Sequence, residues 1–233
     1  MADRSAKIRV LTAGAPKLGV GRCASSFTRK TGHEVDVAFA TAPVLRERVN
    51  KGEAAADLLV APVSLMDDCV AGGHVERGTD IIIGSVTAGV AVRDGVPPPD
   101  ISSVEALKAA LLAADAVFYN MASSGQHIAD MIERLGLAKE LAGKTERLPS
   151  GSGVMVRLAE GKAPSEIGFG QITEISRFEG GGVVLVGPLP HEVGKKTTYA
   201  VGLLTGATDH ARALLAFMGT PEARQTYTGA GLE

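Results

Sequence analysis

Apolar and polar positions along this 233-residue chain follow two rhythms. Residues 8–11 form a short β-branched-rich run, and residues 34–39 place Val35, Val37 and Phe39 at a period of two, so both segments predict strands. Residues 57–63 are largely apolar and predict a strand buried on both faces. Helical segments separate them, over about 16–30, 43–50 and 66–71, and they stop near Gly32, Gly52 and Gly72-Gly73. This βαβαβα order predicts a parallel sheet covered by helices.

The rhythm then changes. Residues 80–93 are an apolar run interrupted at Gly84-Ser85 and at Thr87-Ala88-Gly89, the pattern of a long strand passing from one domain to another. Residues 95–103 carry three consecutive prolines and predict a stiff surface loop. Ser102 and Glu105 make a capping-box pattern that opens a helix with Val104, Leu107 and Leu111 on one face. A second βα series starts with a strand at 116–119, and its helix carries the stripe Ile128, Met131, Ile132 and Leu135. A strand or bend at 144–148 leads to a helix that ends at Gly161. Further strands are expected at 167–171, 183–186 and 197–204, and helices at 209–218 and 221–228, the last capped by Thr220. The order predicts an α/β fold of two lobes, each a mainly parallel sheet flanked by helices. Lobe 1 is discontinuous, 1–84 with 200–233; lobe 2 is 85–199. Two strand crossings between them form a hinge.

Four strand-to-helix loops are built from small residues: Ala13-Gly14-Ala15, Thr41-Ala42, Ser123-Ser124-Gly125 and Ser150-Gly151-Ser152-Gly153. The first N–H groups of a helix have no intrahelical partner, and the helix dipole is positive there, so such starts attract anions. Four of them on one chain point to a site that grips a small anion. Composition excludes several other functions. A formal net charge of −2, with Lys and Arg scattered, leaves no electrostatic footprint for nucleic acid or a polybasic membrane contact. No run reaches the roughly 20 apolar residues of a membrane helix, and the first residues lack an apolar signal core. Cys23 and Cys69, the two cysteines, make no CxxC pair and lie in apolar stretches, as small core residues do. His33, His74, His191 and His210 are dispersed without metal-ligand spacing, and the glycine runs are not followed by G-K-[ST], so neither a metal nor a nucleotide cofactor is implied.

Taken in order, V-L-T-A-G-A at 10–15, T-G-H-E-V at 31–35, V-A-F-A-T-A-P-V-L at 37–45 and G-E-A-A-A-D-L-L-V-A at 52–61 form a familiar series. I-G-F-G-Q-I-T-E-I at 167–175, V-L-V-G-P-L-P at 184–190 and T-P-E-A-R at 220–224 continue it. The chain resembles the class II periplasmic solute-binding proteins, in their molybdate-binding-like branch. The resemblance implies a small anion, carboxylate or oxyanion, held in the inter-lobe cleft. Its ligand residues carry over to Ala13, Gly14, Ala15, Thr41, Ala42, Ser123, Ser124, Gly125, Ser150, Gly151, Ser152, Gly153 and Gln171. Loop one departs from the molybdate pattern, with Ala15-Pro16-Lys17 where an A-A-S motif is expected; Lys17 and Gln171 suit a carboxylate better. The same resemblance takes in aconitate-isomerase-like enzymes, which move a proton across an unsaturated polycarboxylate. Lys17, His127 and Glu174 are the candidates for that chemistry. As written, the chain is expected in the cytoplasm; with a leader removed it is periplasmic, and its partners are then ABC importer subunits.

Overall fold

The computed structural model describes residues 7–233. In chain order its elements are β1 (Ile8–Thr12), α1 (Lys17–Thr31), β2 (Val35–Phe39), α2 (Ala42–Asn50), β3 (Leu58–Pro62), α3 (Val63–Ala71) and β4 (Ile81–Arg93). Then come α4 (Val104–Ala113), β5 (Ala116–Asn120), α5 (Ser123–Arg134), α6 (Ala138–Leu141), β6 (Thr145–Leu148), α7 (Gly151–Ala159), β7 (Glu166–Gln171) and α8 (Ile172–Ile175). The chain closes with β8 (Val183–Pro188), β9 (Lys196–Leu203), α9 (Asp209–Met218) and α10 (Pro221–Thr228). The α/β class is as the sequence reads. Contacts divide the chain into two units, one ending at Val86 and resuming over Thr197–Glu233, the other Thr87–Lys196.

In the first unit β1 pairs in parallel with β2 and β3, while the returning strand β9 runs antiparallel to β3. All five residues of β3 are buried, as its unbroken apolar run requires of a central strand. β2 has no fully buried position and lies at the sheet edge, with Asp36 as an edge charge. Val20, Cys23 and Phe27 of α1 join the core formed by Val10, Leu11, Leu59 and Val201. Both cysteines are free and buried. The Tyr227 hydroxyl donates to the Met218 carbonyl at 3.3 Å and approaches Cys23 Sγ at 3.6 Å, which ties α10 to α1.

The interruption at Gly84-Ser85 has a structural cause. Ser85 and Glu233 exchange backbone hydrogen bonds of 2.8 and 2.9 Å, so the chain's last residue pairs with β4 there. Gly84 has φ +139°, and a Cβ on it would lie 2.9 Å from that of Leu232, so only glycine admits the tail.

In the second unit β5 pairs in parallel with β6 and β7, and β4 runs antiparallel to β7 and β8. One core contains Leu107, Leu111, Ile128 and Met131; another contains Val154, Met155, Leu158 and Ile175. The expected cap of α4 is corrected by one residue. Ser103, not Ser102, is the N-cap, and its hydroxyl accepts the Ala106 N–H at 3.1 Å. Ser102 instead donates its own N–H to Asp100. Two adjacent serines make that register ambiguous by pattern alone. The single-turn helices α6 and α8 are too short to show a period and were not expected.

Candidate functional site

Parallel pairing decides where the loops go. In the first unit Thr12 is in register with Phe39 and with Val60, so the turns after β1, β2 and β3 leave the same edge of the sheet, at the strands' carboxyl ends. Ligands of open α/β sheets bind at that edge. The structure thereby brings Ala13-Gly14-Ala15 and Thr41-Ala42 together. They do not contribute equally. The Ala13 N–H is committed to the Val60 carbonyl at 2.8 Å. Gly14 N–H and the Thr41 hydroxyl make no hydrogen bond among the described residues. Helices α1 and α2 have no side-chain cap, though in α1 the Lys17 N–H is taken by the Gly14 carbonyl at 3.2 Å. Lys17 stands in the first turn of α1, its Nζ 3.5 Å from the centroid of the half-exposed Phe39 ring.

The same edge carries a start that sequence reading missed. β3 runs through Pro62 straight into α3, whose N-terminus also has no side-chain cap, and Ser64 is exposed in its first turn. The only signal was a proline at the end of an apolar run followed at once by Val63-Ser64.

In the second unit Asn120 is in register with Leu148, and β7 lies parallel on the other side of β5. The starts of α5 and α7 and the end of β7 therefore share one edge. Here too some donors are already used. The buried Asn120 side chain accepts from Ala122 N–H at 2.8 Å and Gly125 N–H at 3.2 Å, and its Nδ2 donates to the Ser124 hydroxyl at 3.0 Å. Ser150 caps α7 by accepting the Gly153 N–H at 3.1 Å. Gly125 and Gly153 were expected to offer their N–H groups to a ligand; these bonds commit them to the protein. The N–H groups of Ser123, Ser124, Gly151 and Ser152, with the hydroxyls of Ser123 and Ser152, have no partner among the described residues. Asn120 was not singled out from the sequence, since an Asn at a strand end is common in turns.

Gln171 ends β7, is 3% exposed and makes an interaction inside the protein. Glu174 follows in α8 and is 9% exposed. Its carboxylate packs against Gly151, the first residue of α7, so closely that any side chain there would overlap it. Burial pushes its carboxyl group above the usual carboxylate range, opposed only by the positive field of Arg177.

His127 takes a different place. Its Nε2 lies 3.0 Å from the Val193 carbonyl, which makes it the donor of a brace between α5 and the turn after β8. Burial lowers its pKa from the ordinary 6.5, outweighing that hydrogen bond. The unfolded chain then binds a proton that the native imidazole refuses. Stability therefore falls as pH drops from about 6.5 through the lowered native value, and it recovers as pH rises. Urea midpoints measured across that range are expected to show this slope, and His127→Gln to flatten it. Among the described residues no group of three or more His, Cys, Asp or Glu is arranged to hold a metal, and no helix is long and apolar enough to cross a membrane.

The model of the bacterial extracellular solute-binding protein family matches residues 8–233. An aconitate isomerase of a Pseudomonas species is 29% identical over 97% of this chain and 87% of its own length. Among solved structures, the periplasmic molybdate-binding protein of Azotobacter vinelandii superposes with TM-score 0.76 at 15% identity, covering 97% of this chain and 99% of that one. The tungstate ABC transporter protein of Geobacter sulfurreducens gives TM-score 0.73 at 13% identity, over 96% and 98%.

Proposed function

Because the chain belongs to the bacterial extracellular solute-binding protein family, we propose that it binds a small anion at the carboxyl edges of its sheets. One observation carries this reading: two neighbouring helix starts in the second unit keep four N–H donors and two hydroxyls unpaired, on Ser123, Ser124, Gly151 and Ser152. Oriented N–H groups at a helix start favour negative charge without supplying a counter-charge of their own. The open start at Gly14, the Thr41 hydroxyl and Lys17 supply the same chemistry in the first unit. The named ligands of the Azotobacter and Geobacter proteins are oxyanions, and the Pseudomonas relative is named for aconitate. Lys17, a full charge on a flexible stem, favours a carboxylate.

A thermal-shift panel of citrate, cis-aconitate, sulfate and molybdate tests the reading. Binding contributes RT ln(1 + [L]/Kd), about 2.7 kcal/mol at a hundredfold excess over Kd. A shift with at least one of these anions is expected, larger for the carboxylates. Flat melting curves across the panel overturn it.

The relative named aconitate isomerase supports a second reading at the same residues, proton transfer on a bound unsaturated carboxylate. The two readings imply different settings. Delivery of the ligand to ABC importer subunits belongs to a periplasmic protein, and for turnover of the ligand we propose a cytoplasmic setting.

A further inference from the structure

Among the described residues, Glu174 is an acidic side chain at the carboxyl edge of the second sheet that the binding reading leaves without a task. It is 9% exposed, and it makes no hydrogen bond or ion pair among the described residues. The side chain is thus largely buried, while its oxygens, having no protein partner, remain reachable from outside the protein. Its position narrows what it can do. The carboxyl group lies against the Cα of Gly151, at the start of the nine-residue helix α7, where the Gly151 and Ser152 N–H groups are open. It takes neither of those N–H groups. A glycine at that first position is what allows the carboxyl group to stand there, since the Cβ of any other residue would occupy its space.

We infer that Glu174 is the catalytic acid–base of a proton transfer on a carboxylate held at the α7 N-terminus. The inference rests on the proton-transfer reading above. The ionised Glu174 removes a proton from the methylene carbon beside a ligand carboxylate. The C–H electron pair moves into the adjoining carboxylate and double bond, and the negative charge that develops on oxygen faces the Gly151 and Ser152 N–H groups. The Glu174 carboxylic acid, whose proton exchanges with solvent, then delivers a proton to the far carbon of the allylic unit. The double bond has moved, nothing is oxidised or reduced, and Glu174 ends as it began. Burial raises the carboxyl pKa, which strengthens the base formed on ionisation. Arg177 is the one charged group that acts against the shift.

The experiment uses the full chain and cis-aconitate as probe. Proton NMR in deuterium oxide follows loss of the methylene signal and appearance of the isomer, and calorimetry on the same samples follows binding. The wild type is expected to exchange and isomerise. Glu174→Gln keeps the size of the side chain and is expected to slow exchange at least about a hundredfold while affinity stays within about threefold. The wild-type rate is expected to rise with pH to a plateau above the raised carboxyl value, and Glu174→Asp to keep that pH profile at a lower rate. Equal exchange by the wild type and Glu174→Gln overturns the assignment. Binding of cis-aconitate by the wild type without any exchange overturns it too, and leaves the anion-binding reading standing. Absence of binding to any anion of the panel removes both. Melting curves of the two variants establish that each is folded, and Glu174→Asp carries the test should Glu174→Gln not fold.

Discussion

Gly125→Ala is expected to lower the unfolding free energy by about 3 kcal/mol or more, at the upper end of what overpacking costs. Gly125 is the third residue of α5, and a Cβ there would overlap the Asn120 main-chain carbonyl at the end of β5. That obstacle is backbone, not the end of a flexible side chain, so the strand or the helix start must move. Movement also breaks the bond from Gly125 N–H to the Asn120 side chain and displaces the open Ser123 and Ser124 N–H groups. Gly21→Ala is the matched control. It lies inside α1 with nothing within 4 Å of a built Cβ. There alanine is expected to stabilise by about 1 kcal/mol, through helix propensity alone. Urea unfolding of the two variants beside the wild type gives both signs in one series. A Gly125→Ala protein as stable as the wild type would refute the close approach described above.

Asn120→Asp is expected to weaken anion binding roughly a hundredfold while the protein stays folded. Asn120 Oδ1 already accepts two N–H groups at the start of α5, so a carboxylate in its place keeps those acceptor roles. It also places a negative charge at a helix N-terminus, which the dipole favours. That charge then competes with the ligand for the same field. Two like charges about 5 Å apart at an effective dielectric near 20 repel by about 3 kcal/mol, or roughly a hundredfold in Kd. Calorimetry with the best ligand of the panel measures the loss, and added salt is expected to reduce it if the charge is responsible. Asn120→Ala separates the two effects. It leaves the Ala122 and Gly125 N–H groups without their acceptor, so it is expected to cost about 1–3 kcal/mol of stability and little affinity.

Much of the fold could be read from pattern. The β2 alternation, the unbroken β3 run and the α5 stripe come from side-chain periodicity, which is a local property, and the elements lie where that period puts them. The cap of α10 was legible for the same reason, because Thr220 acts within its own turn, whereas Ser150, expected only as a ligand residue, turned out to cap α7. The cap of α4 slipped by one residue, since a pair of serines offers two registers of similar quality. The β9 strand was expected at 197–204, but its antiparallel pairing with β3 was not legible, because the two strands are distant in sequence.

By itself, the sequence determined the α/β rhythm, the small-residue helix starts and a family that the family model independently matches. It did so because those features depend on the period and order of nearby residues. Which donors are free was decided by tertiary structure alone. The Ala13 N–H is taken by Val60 and the Gly125 N–H by Asn120, while those of Gly151 and Ser152 stay open. Tertiary structure also set Glu174 against Gly151, buried and without a partner, and turned His127 toward Val193. Hydrogen-bond satisfaction and burial are properties of neighbours in space. Four loops alike in composition therefore differ in what they leave to hold a ligand.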